Sequence, residues 1–141
     1  MAPRIVLDTN VLVSALRSNR GASFRLLSEI DSGRFEICVS VPLILEYEVA
    51  LFRHARSLGL SRRDVSDFLD YVCSVARRQP IFFLWRPRLR DPGDDMVLEA
   101  AVAAGCRYIV TFNKRDFESG RPLPLRLATP REFLHTIGVL K

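Results

Sequence analysis

Short apolar runs that alternate with amphipathic segments are the feature that most limits how this chain can fold. The apolar runs cover residues 4–7, 35–40, 81–85, 107–111 and 125–128. The segments with helical spacing cover residues 11–17, 23–32, 42–56, 61–78, 91–105 and 129–138. Strands that alternate with helices along a chain indicate a parallel sheet with helices on both faces. We therefore predict an α/β fold with a central parallel sheet.

The length and composition are those of one ordinary domain. The chain has 141 residues, of which 48% are hydrophobic and 26% are charged, as is typical of globular proteins. A chain of this length buries about two thirds of the surface that its unfolded form exposes. No internal repeat, low-complexity tract or break in composition divides the sequence. We predict a single domain over residues 1–141.

Cysteine usage and the N-terminal sequence favour a cytoplasmic protein. Cys38, Cys73 and Cys106 lie far apart in apolar stretches, so we predict buried thiols and no zinc site. An odd number of cysteines without a signal peptide suggests a reducing compartment. The first residues lack a signal pattern, and the longest apolar run is far too short to span a membrane.

The positive charge of the chain comes almost entirely from arginine. The net charge is +5, and Lys114 and Lys141 are the only lysines. The guanidinium fork matches the geometry of phosphate, which favours a polyanionic partner. A surface that is merely well solvated would carry the same excess, and this alternative stays open.

Acidic residues follow several of the predicted strands, at the point where each strand ends. Asp8 follows the run 4–7, and Asp116 comes shortly after the run 107–111. Three more aspartates follow the run 81–85 and open the next predicted helix: Asp91, Asp94 and Asp95. Because parallel sheets bind ligands at the carboxyl ends of their strands, these residues are candidates for one site.

Most of these acids also have a purely structural explanation. Asp8 suits the cap of the helix that follows it. Asp91 and Asp94 suit the positive end of a helix dipole. Asp116 suits a turn beside Lys114. Taken singly, each of these acids therefore leaves the functional interpretation open.

Two further acids are placed by helical spacing. Leu98 and Val102 follow Asp95 at i+3 and i+7, which puts Asp95 on the inward face of its helix. An unpaired carboxylate on that face is costly, and a cation would remove the cost. Glu46 and Glu48 both lie in the predicted helix 42–56, and periodicity does not choose between them.

Together the acids predict a metal site. Several carboxylates that converge from separate segments repel each other and need a compensating cation. Oxygen ligands without a His or Cys cluster suit Mg²⁺ or Mn²⁺, and His54 and His135 both lie outside the acidic segments. A hard cation in an acidic pocket of a basic protein suggests phosphodiester chemistry.

The motifs resemble those of a known family. "IVLDTNVLVSAL", the glutamate of "LILEYEVAL" and "DPGDDMVLEAAVAAGCRYIVTFNKRDF", in this order, resemble the PIN domain. More narrowly, the chain is similar to the PIN-family toxins of bacterial toxin–antitoxin systems, which are related to the VapC ribonucleases. The resemblance implies a three-layer α/β/α sandwich and a cytoplasmic, Mg²⁺- or Mn²⁺-dependent endoribonuclease. It also implies a homodimer that a cognate antitoxin holds inactive.

The resemblance also assigns roles to residues. By position it makes four acids catalytic and metal-binding: Asp8, Glu46, Asp95 and Asp116. It thereby favours Glu46 over Glu48, with Asp91 and Asp94 as additional ligands. Four polar residues are predicted to orient the acids or a water molecule: Thr9, Asn10, Thr111 and Asn113. Asn113 is neutral where many relatives have an acid, which weakens the prediction of a second metal ion.

Basic residues near the predicted site suggest RNA contacts. The candidates for phosphate binding are Arg17, Arg20, Arg25, Lys114 and Arg115. For each of them a solvated surface is an equal alternative. A catalytically degenerate PIN-like module that binds RNA or protein is the second function we consider, and the complete set of acids favours the enzyme. A receiver-like phosphoacceptor is disfavoured because the run 35–40 ends without an acid, and Asn10 disfavours a haloacid dehalogenase-type phosphatase.

Overall fold

The computed structural model describes residues 2–81, 89–122 and 124–141 of the chain. Within these residues the strands are β1 (Arg4–Leu7), β2 (Glu36–Val39), β3 (Arg77–Arg78), β4 (Tyr108–Val110) and β5 (Arg126–Ala128). The helices are α1 (Thr9–Arg17), α2 (Ala22–Ser28), α3 (Val41–Leu58), α4 (Arg62–Val75), α5 (Pro92–Ala103), α6 (Lys114–Glu118) and α7 (Pro130–Thr136). A 3₁₀ turn, Ile30–Ser32, follows α2.

The strands form one parallel sheet in the order β3-β2-β1-β4-β5. Ile5 in the central strand pairs with Ile37 of β2 on one side and with Tyr108 of β4 on the other. The chain thus winds outward from β1 in both directions, which leaves a crevice at the carboxyl ends of β1 and β4. The predicted three-layer α/β/α sandwich is confirmed.

Local sequence signals fix the ends of the helix that carries Glu46. At the start of α3, the Ser40 hydroxyl accepts a hydrogen bond from Leu43 N at 3.2 Å, and Pro42 occupies the first turn. At its end, Gly59 has φ of +70°, the left-handed conformation that favours glycine. The predicted capping box of the next helix, between Ser61 and Asp64, is present in α4.

Four predicted segments differ from the observed ones. The predicted helix 61–78 ends at Val75, because Arg77–Arg78 pair with β2 and Gln79 N donates to Val39 O at 2.8 Å. Backbone pairing at the sheet edge outweighs helix propensity there. The predicted helix 23–32 is divided into α2 and the 3₁₀ turn, and the predicted turn after β4 contains α6. Of the predicted strand 81–85, Ile81 is not in a strand and residues 82–85 lie outside the described residues.

Packing of the helices onto the sheet holds the crevice in place. Helix α5 packs against β1, β2 and β4, and α7 packs against β5 and α2. Cys38 and Cys106 are buried as predicted, whereas Cys73 is only partly buried. Within the described part of the chain, no helix has the length and apolar character that crossing a membrane would require.

Candidate acidic active site

A cleft of about 560 Å³ lies at the carboxyl ends of β1 and β4 and contains most of the predicted site residues. Five carboxylates line it: Asp8, Glu46, Asp91, Asp94 and Asp116. Three of the predicted supporting residues also line it: Thr9, Asn10 and Asn113. The fold therefore brings acids from four separate segments to the edge of the sheet where the sequence predicts a site. We call this cavity the acidic cleft.

Asp8 lies at the centre of the cleft and is held from two sides. Its side chain is buried, with Oδ1 accepting from Thr9 N at 2.7 Å and Oδ2 accepting from the Thr111 hydroxyl at 2.6 Å. The Thr111 hydroxyl in turn accepts from Asn113 N at 2.9 Å. Asp8 therefore caps α1 and lines the cleft at the same time, so the structural and functional interpretations of this acid are compatible.

The two glutamates of α3 face different surroundings. Glu46 is half-buried and lines the acidic cleft, whereas Glu48 is exposed and is not part of the cleft lining. Tyr47, between them, is fully buried and donates its hydroxyl to Leu7 O at 2.5 Å. This bond joins α3 to the end of β1, and it places Glu46 beside the strand that leads to Asp8.

The first turn of α5 supplies three aspartates with different environments. Asp91 caps the helix and accepts from Gly93 N at 2.8 Å. Asp94 lines the cleft. Asp95 is buried, as its spacing predicts, but its Oδ1 accepts from Leu89 N at 2.8 Å, and it is not part of the cleft lining. Asp95 thus lies on the inward face of α5, and its neighbour Asp94 lies on the face toward the cleft.

Gly93 allows α5 to approach α3 closely. A Cβ atom at this position would lie 2.5 Å from Oε1 of Glu46 and 3.4 Å from Oδ1 of Asp91. Real side chains do not tolerate the first of these distances, so only glycine leaves the Glu46 carboxylate where it is. Sequence reasoning treated this glycine as an ordinary part of the helix start and missed its contribution to the cleft.

Burial and mutual repulsion raise the pKa values of acids in the cleft. The pKa of Asp94 rises to about 7, first because of burial and then because Asp8, Asp91, Asp116 and Asp95 repel its negative charge. The pKa of Asp8 is also raised, mainly by burial, although hydrogen bonds from Thr111 and Thr9 act in the opposite direction. The cleft therefore favours anything that adds positive charge to it.

The chemistry of the cleft suits a hard divalent cation. All of its acidic ligands are oxygen donors, as Mg²⁺ and Mn²⁺ prefer. Asn10, which also lines the cleft, has a buried Oδ1 without a hydrogen-bond partner among the described residues, and such an acceptor is costly unless it is satisfied. No three His, Cys, Asp or Glu side chains of the described residues are already arranged to hold an ion.

Three basic residues line the acidic cleft. They are Arg17, Arg53 and His54, and Phe112, with 46% of its surface exposed, lines the cleft next to Asn113. Arg53 and His54 were not predicted. They follow Glu46 by seven and eight residues, which is two turns of the same helix, so helical spacing from Glu46 was the signal that could have identified them.

The other predicted RNA-binding residues have different positions. The ammonium group of Lys114 lies 2.9 and 3.1 Å from the carboxylate oxygens of Glu132 and is not part of the cleft lining. Arg115 lines an adjoining cavity of about 360 Å³, together with Arg90, which was not predicted, and three acids shared with the cleft. Arg20 and Arg25 line a separate cavity.

The fold and the site together define a class: a doubly wound parallel α/β protein with a carboxylate-lined crevice at the carboxyl edge of its sheet. The family model described as PIN domain matches residues 4–115. The chain therefore belongs to the PIN domain family, as predicted from its motifs.

Comparison with solved structures supports the same fold. The chain is similar to a chain in the crystal structure of VapBC2 from Rickettsia felis bound to a DNA fragment from their promoter, with a TM-score of 0.63 and 17% sequence identity. The match covers 89% of this chain and 98% of the other. The comparison with curated proteins gives no match.

Proposed function

We propose that this protein is a metal-dependent endoribonuclease that hydrolyses phosphodiester bonds in RNA. The observation that carries the proposal is the convergence of five carboxylates on one cleft of a protein whose net charge is +5. A cluster of acids repels RNA unless a cation neutralises it, whereas the arginines around the cleft attract RNA. Membership of the PIN domain family supports nuclease chemistry of this kind.

The acids of the cleft are the proposed ligands of the metal ion. We propose that Asp8, Glu46, Asp94 and Asp116 hold Mg²⁺ or Mn²⁺, with Asp91 close by. Such an ion supplies an activated water and neutralises charge on the phosphate when it is bound. Thr9 and Thr111 orient the Asp8 carboxylate through their hydrogen bonds.

Asp95, which the sequence assigns to the metal, takes a second role in this proposal. Its bond to Leu89 N fixes the turn that precedes α5, so we propose that it positions Asp91 and Asp94. Arg17 and Arg53, on the wall of the cleft, are proposed to bind the phosphates that flank the cleaved bond.

We further propose that the protein is the toxin of a type II toxin–antitoxin system and acts in the cytoplasm. The similarity to a chain of the VapBC2 complex supports this at the level of the fold. A cognate antitoxin and a second copy of the chain are the proposed protein partners. Helix α3 exposes three apolar side chains at a spacing of four residues, Val41, Leu45 and Val49, which offers apolar area for such an assembly.

The test is cleavage of a structured RNA by the purified protein with Mg²⁺ or Mn²⁺, and with EDTA as the metal-free control. Asp8→Asn should keep the fold and lower the cleavage rate by at least about 100-fold, since it removes a central ligand. Asp94→Asn should raise the Mg²⁺ concentration needed for half-maximal activity, because it removes one of the proposed ligands. Asp95→Asn should lower the rate with little change in the Mg²⁺ concentration needed for half-maximal activity.

The outcomes separate the possible functions. Full metal-dependent cleavage by the Asp8→Asn protein would contradict the assignment of this residue. If the unaltered protein neither cleaved RNA nor bound metal, a non-catalytic PIN-like module would be favoured. For the toxin, induced expression in bacteria should arrest growth with the unaltered chain and not with Asp8→Asn.

A further inference from the structure

We propose that a second cavity beside the acidic cleft binds an unpaired nucleotide of the RNA strand that the cleft cleaves. This inference rests on the proposed nuclease function and names the form of its substrate, a single strand. The cavity measures about 650 Å³ and lies between α2 and the C-terminal segment. We call it the flanking cavity, and the residues that matter in its lining are Arg20, Phe24, Arg25, Glu29 and Arg131.

The flanking cavity is continuous with the acidic cleft along the chain. Arg17 and Ser18, at the end of α1, line the cleft. The next two residues, Asn19 and Arg20, line the flanking cavity. One short connection therefore forms a wall of both cavities, and it extends over at most about 11 Å from Arg17 to Arg20. A strand held in the cleft passes into the flanking cavity over these two guanidinium groups.

The charge of the flanking cavity suits a phosphodiester backbone. Its lining contains three arginines and one glutamate, which gives a net charge of +2. Arg25 is partly neutralised by Glu29, whose Oε1 lies 3.3 Å from its Nε. Arg20 and Arg131 are exposed and form no ion pair within the described part of the chain. Two free guanidinium groups are thus available for phosphates.

An exposed aromatic ring makes this cavity specific for unpaired bases. Phe24 has 42% of its surface exposed, while Leu26 on the same helix is fully buried. Aromatic rings beside arginines are the combination that single-strand binding sites use, because a base stacks on the ring while its phosphate meets a cation. Bases inside a duplex are already stacked and offer no face to such a ring. The cavity is also large enough for a ligand the size of a nucleotide.

The test is binding of fluorescently labelled single-stranded RNA with Ca²⁺ in place of Mg²⁺, so that the acids of the cleft are neutralised while cleavage is suppressed. Two RNAs are compared, a trinucleotide that occupies the cleft alone and a decanucleotide that also reaches the flanking cavity. The variants are Phe24→Leu, Phe24→Tyr and the double variant Arg20→Ala, Arg131→Ala. The matched control is Arg107→Ala, Arg126→Ala, which removes the same charge from exposed side chains at the amino ends of β4 and β5.

The two kinds of variant should differ in their response to salt. Phe24→Leu should weaken binding of the decanucleotide roughly ten-fold without changing the salt dependence, and Phe24→Tyr should bind as the unaltered protein does. Loss of Arg20 and Arg131 should lower the slope of log K against log salt by about 1.4. Binding of the trinucleotide should not change in any of these proteins.

Three results would overturn the proposal that the flanking cavity binds a nucleotide. The first is an equal loss of affinity with the control pair of arginines, since net charge alone would then explain it. The second is equal affinity of the unaltered protein for the two RNAs, and the third is tighter binding of a ten-base-pair duplex than of the single strand. Metal-dependent cleavage that persists alongside any of these results would leave the nuclease intact and assign the cavity to a protein partner instead.

Discussion

At Gly93, the addition of a single methyl group should be enough to alter the acidic cleft. In Gly93→Ala the new Cβ would lie 2.5 Å from Oε1 of Glu46, so the carboxylate must move away. We expect about ten-fold slower cleavage and a higher Mg²⁺ requirement, as for other changes that misorient a ligand. Stability should stay equal or rise, because alanine favours a helix over glycine by about 1 kcal/mol. A Mg²⁺ titration of the cleavage rate and a thermal melt of the same protein measure both effects.

An unchanged Mg²⁺ requirement in that variant would mean that the position of the Glu46 carboxylate does not matter for metal binding. A fall in both activity and melting temperature would instead indicate a general disturbance of α5. The expected combination, lower activity with undiminished stability, is that of an alanine that displaces the Glu46 carboxylate, the group nearest to the new Cβ.

The two glutamates of α3 provide a matched pair. Glu46→Gln should lower metal-dependent cleavage at least about ten-fold, because it removes one negative charge from the acidic cleft. Glu48→Gln makes the same chemical change at an exposed position outside the cleft lining and should cleave as the unaltered protein does. The cleavage rates of the two variants are measured in parallel. An equal loss of rate in both would mean that lining the cleft does not identify a glutamate as a metal ligand.

Asp95 shows what sequence can and cannot predict about a single residue. Its spacing from Leu98 and Val102 predicts an inward-facing carboxylate, and the side chain is indeed buried. Spacing does not reveal that the residues before α5 turn back and present Leu89 N to this carboxylate. The cleft side of the helix therefore belongs to Asp94, one residue earlier, and that contact depends on a turn with no periodic signal.

At the scale of elements, the hydrogen bond from the Tyr47 hydroxyl to Leu7 O couples α3 to β1. Tyr47→Phe leaves Leu7 O buried without its partner, so we expect a loss of about 1–2 kcal/mol in the free energy of unfolding. Cleavage should fall by a few-fold, since Glu46 adjoins this bond. Chemical denaturation measures the first effect and cleavage rates measure the second.

Tyr71→Phe is the matched control for that change. Tyr71 is exposed on α4, and its hydroxyl lies 3.3 Å from Oδ2 of Asp31. Its loss should stay within about 0.5 kcal/mol, as is usual at the surface. Similar losses for both tyrosines would show that the bond to Leu7 contributes no more than a surface contact.

The elements themselves were predictable where local signals and burial agree. The runs at β1, β2 and β4 are apolar on both faces, and the caps at Ser40 and Ser61 mark where helices begin. Prediction was wrong at Arg77–Arg78, which continue a helical pattern in sequence but form β3 in the structure. Two exposed arginines carry no apolar signal for a strand, and only their pairing with β2 in three dimensions makes them one.

For the whole molecule, the acidic cleft should make stability depend on pH in the absence of metal. The pKa of Asp94 is about 7 in the folded protein, against an ordinary value of 3.8. Between these values the folded state binds more protons than the unfolded state, so the free energy of unfolding falls as the pH rises. The loss begins near pH 4 and is complete above about pH 7, and the raised pKa of Asp8 acts in the same direction.

Asp94→Asn should abolish this part of the pH dependence. In EDTA at pH 8 the variant should be more stable than the unaltered protein by about 1 kcal/mol at most, because solvent screens a half-buried charge, and this corresponds to roughly 4 °C in Tm. Near pH 4 the difference should vanish, since the unaltered Asp94 is then protonated in the folded state. Thermal melts across this range, with Asp67→Asn at an exposed position of α4 as control, measure the difference.

Mg²⁺ should reverse the order of the two proteins at pH 8. A cation that binds the folded state raises stability according to its affinity, and the unaltered cleft has one more carboxylate with which to hold it. We therefore expect saturating Mg²⁺ to raise the melting temperature of the unaltered protein more than that of Asp94→Asn. If Mg²⁺ raised the melting temperature of both proteins equally, Asp94 would not contribute to metal binding. A larger shift for the unaltered protein would tie the instability of the metal-free cleft to the cation that it is proposed to bind.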